Sequence, residues 1–453
     1  MEYHIPDYYR TFSCIGSECP DTCCGGWQIP IDRRSLARYR ALIAAGGGKG
    51  FGRRLKRSVD FRRRTFRQTR RRCRLLTPDG LCSLYIHAGP GALCRACRVY
   101  PRHQEEFGSI REISLSLSCP EAARILLTWP RRPRIHIVQS RRSCPPGQAV
   151  DPVLLDRLFR LRETMLKQLW PARETEAEDS GSLESAVCEI LDLAAGFQAS
   201  LENRGLSGSP APAIPAPAVS APQAGRRARA VLHRGLLQVF SHMEPVEALW
   251  PELMRRCRAL PPHGLPPVSA SPDRLEERQL LTYFLSLYLP GAVYDRQALA
   301  NIQMAVCSWQ MTARLAACLA RLAGYPSGAG FPDRREADCI KKCAPGRTLA
   351  PSAVAVRQHL PHARVRILSG AFFCTIGNEI SYRTKKAPGA CAASDASPRT
   401  LPAVFWIQAA YLYSRQIENS DFNLNRLVSA CGRSRSLSPQ ALCRALSADL
   451  PAD

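Results

Sequence analysis

The stretch VDPVLLDRLFRLRETMLKQLW, Val150–Trp170, decides the fold class. Asp151 carries an N-cap side chain, and Pro152 stands in the first turn, where a helix tolerates proline. Leu154, Leu158, Leu161, Met165 and Leu169 recur at three- and four-residue spacing, which lays them along one face of a helix. The same period appears at 182–200 and 228–243, in DRLEERQLLTYFLSLYL from Asp273, and in DRQALANIQMAVCSWQMTARLAACLARLA from Asp295. A last helical run is VFWIQAAYLYSRQIENS. SGSPAPAIPAPAVSAPQAG (Ser207–Gly225) and PPHGLPPVSASPD (Pro261–Asp273) interrupt these runs with segments too rich in proline and small residues to build a core. Residues 324–403 show no clear period beyond one candidate strand pair in ARVRILSGAFFCTIG. The expected fold is mainly α, with a cysteine-rich, irregular N-terminal metal-binding region over 1–145 packed with a helical C-terminal part. That part divides into a helical region at 146–206, a Pro/Ala-rich linker at 207–227 and a mostly helical region at 228–453.

Composition narrows the class. With 453 residues and 45% hydrophobic content, wholesale disorder is excluded. No run approaches the roughly 18 uninterrupted apolar residues of a membrane span. The opening MEYHIPDYYR lacks a basic segment followed by an apolar one. The expectation is therefore a cytoplasmic protein without a membrane segment, in a compartment where thiols stay reduced. The net charge of +25 suits nucleic acid or an acidic surface, although the basic residues are 56 Arg against 7 Lys, a skew that genome composition also produces. The charge peaks over Arg53–Arg74, interleaved by Phe61 and Phe66 and preceded by Phe51. A zinc-stapled nucleic-acid-binding protein is thus one reading, and a non-catalytic zinc- or iron-chelating protein another. GGGKGFG, Gly46–Gly52, lacks the trailing Lys-Ser/Thr of a phosphate-binding loop and reads as an ordinary loop.

The 20 cysteines are unevenly spread, with nine between Cys14 and Cys119. Cys14, Cys19, Cys23 and Cys24 crowd one segment, while Cys73, Cys82, Cys94, Cys97 and Cys119 lie far along the chain. In a reducing compartment a dense group of this kind favours metal over disulfides, and its spacing fits neither two separated zinc-finger pairs nor a C-x3-C-x2-C motif. Iron–sulfur, zinc and no metal all stay open on spacing alone. Cys188, Cys257, Cys307 and Cys318 fall in helical patterns and read as small buried hydrophobes. Gly25, Gly26 and Trp27 suit a backbone in close approach to a cofactor under an apolar lid, or equally an ordinary turn with a core aromatic. Asp32, Tyr85, Tyr100, Arg102 and Glu121 flank the cysteines and are candidate base or cofactor contacts. On the last helix Tyr413, Arg415 and Glu418 form a further candidate strip, with Arg415 and Glu418 spaced to pair.

FSCIGSECPDTCCGGWQIPID (Phe12–Asp32) resembles the opening signature of the flagellin lysine-N-methylase, or FliB-type, family. The resemblance continues in order through CRLLTPDGLCSLYIHAGPGALCRACRVYPR (Cys73–Arg102), SLSLSCPE (Ser114–Glu121) and YSRQIENS (Tyr413–Ser420). It implies methylation of flagellin lysines with S-adenosylmethionine and a [4Fe-4S] cluster, zinc being the alternative. By position it implies Cys14, Cys19, Cys23, Cys24, Cys73, Cys82, Cys97 and Cys119 as metal ligands, with Cys94 additional. Catalytic candidates are Tyr85, Tyr100, Tyr413 and Glu418, and cofactor-binding candidates are Gly25, Gly26, Trp27 and Arg102. The Arg53–Arg74 run, the Pro/Ala linker and residues 324–403 depart from the family pattern.

Overall fold

The computed structural model describes residues 1–46, 50–78, 80–140, 149–171, 182–202, 222–246, 249–260, 274–322 and 403–446. The linker residues up to 221, the proline-rich break at 261–273 and the candidate strand pair lie outside them. The described chain is mainly helical and divides into two compact units, one comprising Met1–Pro152 with Ala410–Asn423, the other Val153–Ala409 with Leu424–Asp453. None of its helices is long and apolar enough to cross a membrane.

The first unit is more regular than the sequence suggests. Its strands are β1 (Glu2–Pro6), β2 (Val59–Asp60), β3 (Thr65–Phe66), β4 (Gln68–Thr69), β5 (Arg72–Cys73), β6 (Arg102–Phe107), β7 (Ile110–Leu115) and β8 (Ile135–Gln139). Four of them form one sheet in the order β6-β7-β1-β8. β6 and β7 are a hairpin whose two-residue turn places Gly108 at φ +59°, a conformation that suits glycine. β1 joins β7 in parallel, with Glu2 opposite Ile110, and β8 joins β1 antiparallel, with Glu2 opposite Gln139. Short helices complete the unit: α1 (Arg33–Ala45), α2 (Gly50–Ser58), α3 (Ser83–Ala88), α4 (Arg95–Val99) and α5 (Pro120–Leu127). The glycine run read as a loop therefore ends inside a helix. Gly50 starts α2 because Leu55 and Val59 beyond it are fully buried and draw the segment onto the core.

In the second unit the helices are α6 (Pro152–Leu169), α7 (Leu183–Glu202), α8 (Pro222–Ser241), α9 (Trp250–Ala259), α10 (Leu275–Tyr288), α11 (Ala292–Asp295) and α12 (Ala298–Leu322). They are followed by α13 (Ala403–Ile417), α14 (Asp421–Arg433) and α15 (Pro439–Leu446), of which Ala410–Asn423 belongs to the first unit. α6 starts at Pro152 and buries Leu154, Leu158, Met165 and Leu169, as the period requires. α8 starts at Pro222, inside the stretch read as linker, because proline is as acceptable in the first turn of a helix as in a linker. α12 is buried on nearly every side and forms the axis of the unit. Its Arg314, 1% exposed, donates to the Cys257 carbonyl at 2.7 and 3.1 Å and to the Leu260 carbonyl at 2.8 Å. The cation thereby satisfies carbonyls at the C-terminal end of α9, where the helix dipole favours positive charge. Trp309 of the same helix donates Nε1–H to the buried Glu277 at 2.9 Å, and Glu277 is also held by Arg274 at 2.8 Å.

Candidate functional site

The first unit's core gathers Ile29, Ile31, Tyr39, Leu55, Phe66 and Leu75, and it holds the thiols of Cys73 and Cys94 with Cys24, Cys82 and Cys97 packed against it. This gathering has a backbone cause. Residues 24–31 run antiparallel to 64–73: Cys73 N–H donates to Cys24 O at 2.7 Å, Gly26 N–H to Arg71 O at 3.0 Å and Phe66 N–H to Ile29 O at 3.1 Å. Gly25 bridges to Arg72 here, and a Cβ on it would sit 3.2 Å from Arg71 O and 3.9 Å from Arg415 Nη2. Gly26 takes φ +86°, so the pair of glycines is explained by the turn and the close backbone approach alone.

The thiols influence one another in two sets. Cys14, Cys19 and Cys119 act on one another, and burial followed by the neighbouring thiols pushes Cys19 up to about 12. Cys23, Cys24, Cys73, Cys82, Cys94 and Cys97 interact in the other. There the Cys23 thiol hydrogen-bonds Cys24 and raises it, burial pushes Cys73 up to about 12, and Cys94 and Cys97 share a hydrogen bond that lowers Cys94 and raises Cys97. Cys94 also donates to Pro30 O at 3.4 Å, so the cysteine that is additional to the family pattern is part of the cluster. Thiols packed this closely are a soft donor set that, deprotonated, suits a thiophilic metal. Among the described residues, however, no group of three or more His, Cys, Asp or Glu side chains is arranged to hold a metal ion. The donor types suit a thiolate-bound centre, whose assembly would require these thiols to move together, and no chemistry is routed through one.

A second feature was only partly legible in the sequence. Arg415, 6% exposed, reaches back to the cysteine loop: Nη2 donates to Gly25 O at 2.9 Å, and Nη1 to Thr22 O at 3.0 Å and Tyr411 Oη at 2.8 Å. Asp21 lies 3.3 Å from that guanidinium, accepts from Tyr411 and is 3.7 Å from Arg72. The partner foreseen for Arg415 was Glu418, one helical turn away, yet Glu418 accepts from Ser414 while Arg415 is directed at Asp21. A buried guanidinium is best served where two carbonyls and a carboxylate converge, and the loop Asp21–Gly25 supplies all three. The sequence placed Arg415 in a candidate strip and within the YSRQIENS resemblance, but neither gave its partner in the cysteine loop.

The remaining candidates are dispersed. Tyr100 stacks on Trp27 with ring centroids 6.1 Å apart, and its Oη donates to Ser118 O at 2.6 Å. Burial and the nearby Cys119 thiol push its phenol far above the ordinary range, so it stays protonated. Trp27 itself donates Nε1–H to Cys23 O at 3.0 Å. Arg102 lies over the rings of Phe12 and Tyr9, 5.2 and 5.8 Å from their centroids. Glu121 pairs with Arg124 at 2.7 Å, and Asp32 caps α1 by accepting from Ser35 N at 2.9 Å while also taking the Arg95 N–H at 2.8 Å. Tyr413 is fully buried, whereas Tyr85 is 51% exposed on α3. In the basic run Phe66 is buried, Phe61 lies beneath Arg40 and Phe51 stacks on His87, so none of the three stands free as a base-stacking platform.

These features define a class: a cysteine-rich unit in which thiols line a small core and a buried arginine from a distant helix anchors the loop carrying Cys23 and Cys24. The chain is 30% identical over 129 residues to the flagellar biosynthetic protein FliU of Salmonella muenchen, a match covering 28% of this chain and 76% of that protein. At the same identity and length it matches lysine-N-methylases of Salmonella typhimurium and Salmonella choleraesuis, covering 32% of each. The chain belongs to the family that includes these proteins. The match spans about a third of the length of the two lysine-N-methylases. No protein-family profile and no solved structure matches the chain.

Proposed function

We propose that the protein transfers a methyl group from S-adenosylmethionine to lysine side chains, with flagellin as the protein substrate. The observation that carries this reading is the 30% identity to FliU and to two lysine-N-methylases. In the transfer, the lysine nitrogen attacks the sulfonium methyl carbon as the sulfur–carbon bond breaks, and the amine gives up one proton. A solvated lysine has a pKa of about 10.4, so at neutral pH only about one in a few thousand is an amine. Apolar surroundings favour the neutral form. The thiol-lined core edge with Trp27 and Tyr100 supplies such surroundings, and Tyr100, held protonated, serves to position groups rather than to accept the proton. The iron–sulfur cluster, or zinc in its place, enters as a proposal about composition only, with Cys23, Cys24, Cys73, Cys82, Cys94 and Cys97 as the donors it would use.

The test incubates full-length protein, purified anaerobically and analysed for iron, sulfide and zinc, with labelled S-adenosylmethionine and flagellin. Label is expected in lysine-containing flagellin peptides. Failure of that transfer, at whatever metal content the protein retains, would refute the reading.

A further inference from the structure

The six cysteines described in the second unit are Cys188, Cys257, Cys307, Cys318, Cys431 and Cys443. The sequence reads four of them as small buried hydrophobes, and five of the six are indeed buried. Hydrophobicity alone does not account for how they meet, because every one has its thiol against another cysteine of this set. Cys431 Sγ lies 3.9 Å from Cys307 Sγ. Cys188 Sγ lies 4.0 Å from the carbonyl oxygen of Cys443, and Cys257 Sγ lies 4.0 Å from that of Arg314, one helical turn before Cys318, and in each case the two thiols also interact with each other. Each pair joins two different helices: α14 to α12, α9 to α12, and α7 to α15. The contacts are also remote in sequence, separated by 124 residues for Cys307–Cys431 and 255 for Cys188–Cys443. Local chain geometry therefore does not bring them together.

We propose that Cys188–Cys443, Cys257–Cys318 and Cys307–Cys431 are three latent disulfides that an oxidant of the disulfide class closes into interhelical cross-links. The thiols of Cys307 and Cys431 need only move from contact to the bonded separation of about 2.05 Å. In each pair one cysteine, as thiolate, attacks a sulfur of the oxidant and releases one small thiol. The second cysteine then attacks the mixed disulfide and releases the other. The protein loses two protons and two electrons, and the oxidant is reduced to two thiols. Cys318 is the member best suited to begin, since the Cys257 thiol, with Arg256 and Arg314 beyond it, favours its thiolate. Cys188, half-buried, is the member that solvent reaches most readily. Two of the three bonds would pin α12, the axis of the unit, and all three would close long loops, the case in which a cross-link restricts the unfolded chain most.

The experiment equilibrates the full chain with oxidised glutathione a few degrees below its melting transition, so that buried thiols are sampled, then blocks free thiols and digests without reduction. Linked peptides 188–443, 257–318 and 307–431 are expected. The intact protein should lose the mass of two hydrogens per bond and melt at a higher temperature, both reversed by dithiothreitol. A Cys307→Ser, Cys431→Ser double variant should lose its own linked peptide and retain the other two. Six thiols that remain open to alkylation in denaturant, or linked peptides that scramble these partners, would overturn the proposal.

Discussion

Replacing Arg415 with alanine should loosen the cysteine loop before it disturbs anything else in the first unit. The guanidinium makes two hydrogen bonds to backbone carbonyls, Thr22 O at 3.0 Å and Gly25 O at 2.9 Å, and faces Asp21 at 3.3 Å. An acceptor left without a donor in a buried setting costs about 1–3 kcal/mol, and breaking a buried ion pair by removing one partner costs about 3–5 kcal/mol. These effects overlap because one side chain supplies both, and Arg72 still stands 3.7 Å from Asp21, so the expected loss is ~3–5 kcal/mol rather than their sum. For a unit of this size that corresponds to a fall of roughly 6–20 °C in its melting temperature. The more specific readout is chemical: in the folded Arg415→Ala protein, Cys23 and Cys24 should react with a thiol reagent faster than in the parent, with Cys307 and Cys318 unchanged. Lysine at 415 carries the charge but lacks the planar fork that spans two carbonyls, so it should restore only part of the loss. A variant that melts within about 1 kcal/mol of the parent and labels at its rate would refute the assignment of Arg415 as the anchor of this loop.

Three further outcomes follow from the same geometry. Gly25→Ala should destabilise the first unit by about 1–3 kcal/mol, since its new methyl meets Arg71 O at 3.2 Å, while Gly91→Ala, with no neighbour within 4 Å, should be close to neutral in chemical denaturation. For Asp32, burial opposes ionisation, but hydrogen bonds from Arg95 and Ser35 outweigh it and hold the carboxyl at about 2. Its contribution should therefore be present above the ordinary carboxyl value of 3.8 and disappear as pH falls from there towards about 2. Asp32→Ala should cost about 1 kcal/mol at neutral pH and flatten that acid limb of the stability curve. His4, raised by Glu112 despite burial and raised further by Glu2, should stabilise the sheet below pH 6.5 and lose that effect as pH rises through its higher folded value. His4→Gln should remove this slope, which amide exchange in β1 and β8 would report.

The helices were legible because their period is local. α6 needs only that leucines recur every three or four residues, and nothing elsewhere in the chain alters that count. The sheet of the first unit was not legible for the opposite reason: β1 pairs with β7 across more than a hundred residues and with β8 beyond that, and no short-range period encodes a partner. α8 and α2 show a milder form of the same problem. Pro222 and Gly50 read as interruptions, and only the packing beyond them shows that they begin helices.

The same division runs through the candidate site. Sequence order alone placed Cys14, Cys19, Cys23, Cys24, Cys73, Cys82, Cys97 and Cys119 in one family pattern, because residue type and spacing are properties of the chain. How those thiols divide is a property of folding. The antiparallel run of 24–31 along 64–73 carries Cys23 and Cys24 to Cys73, Cys82, Cys94 and Cys97, and leaves Cys14 and Cys19 with Cys119. Arg415 makes the point with a single residue. Its charge suggested a partner one turn along its own helix, yet burial required carbonyls and a carboxylate to surround it, and those come from a loop nearly four hundred residues earlier.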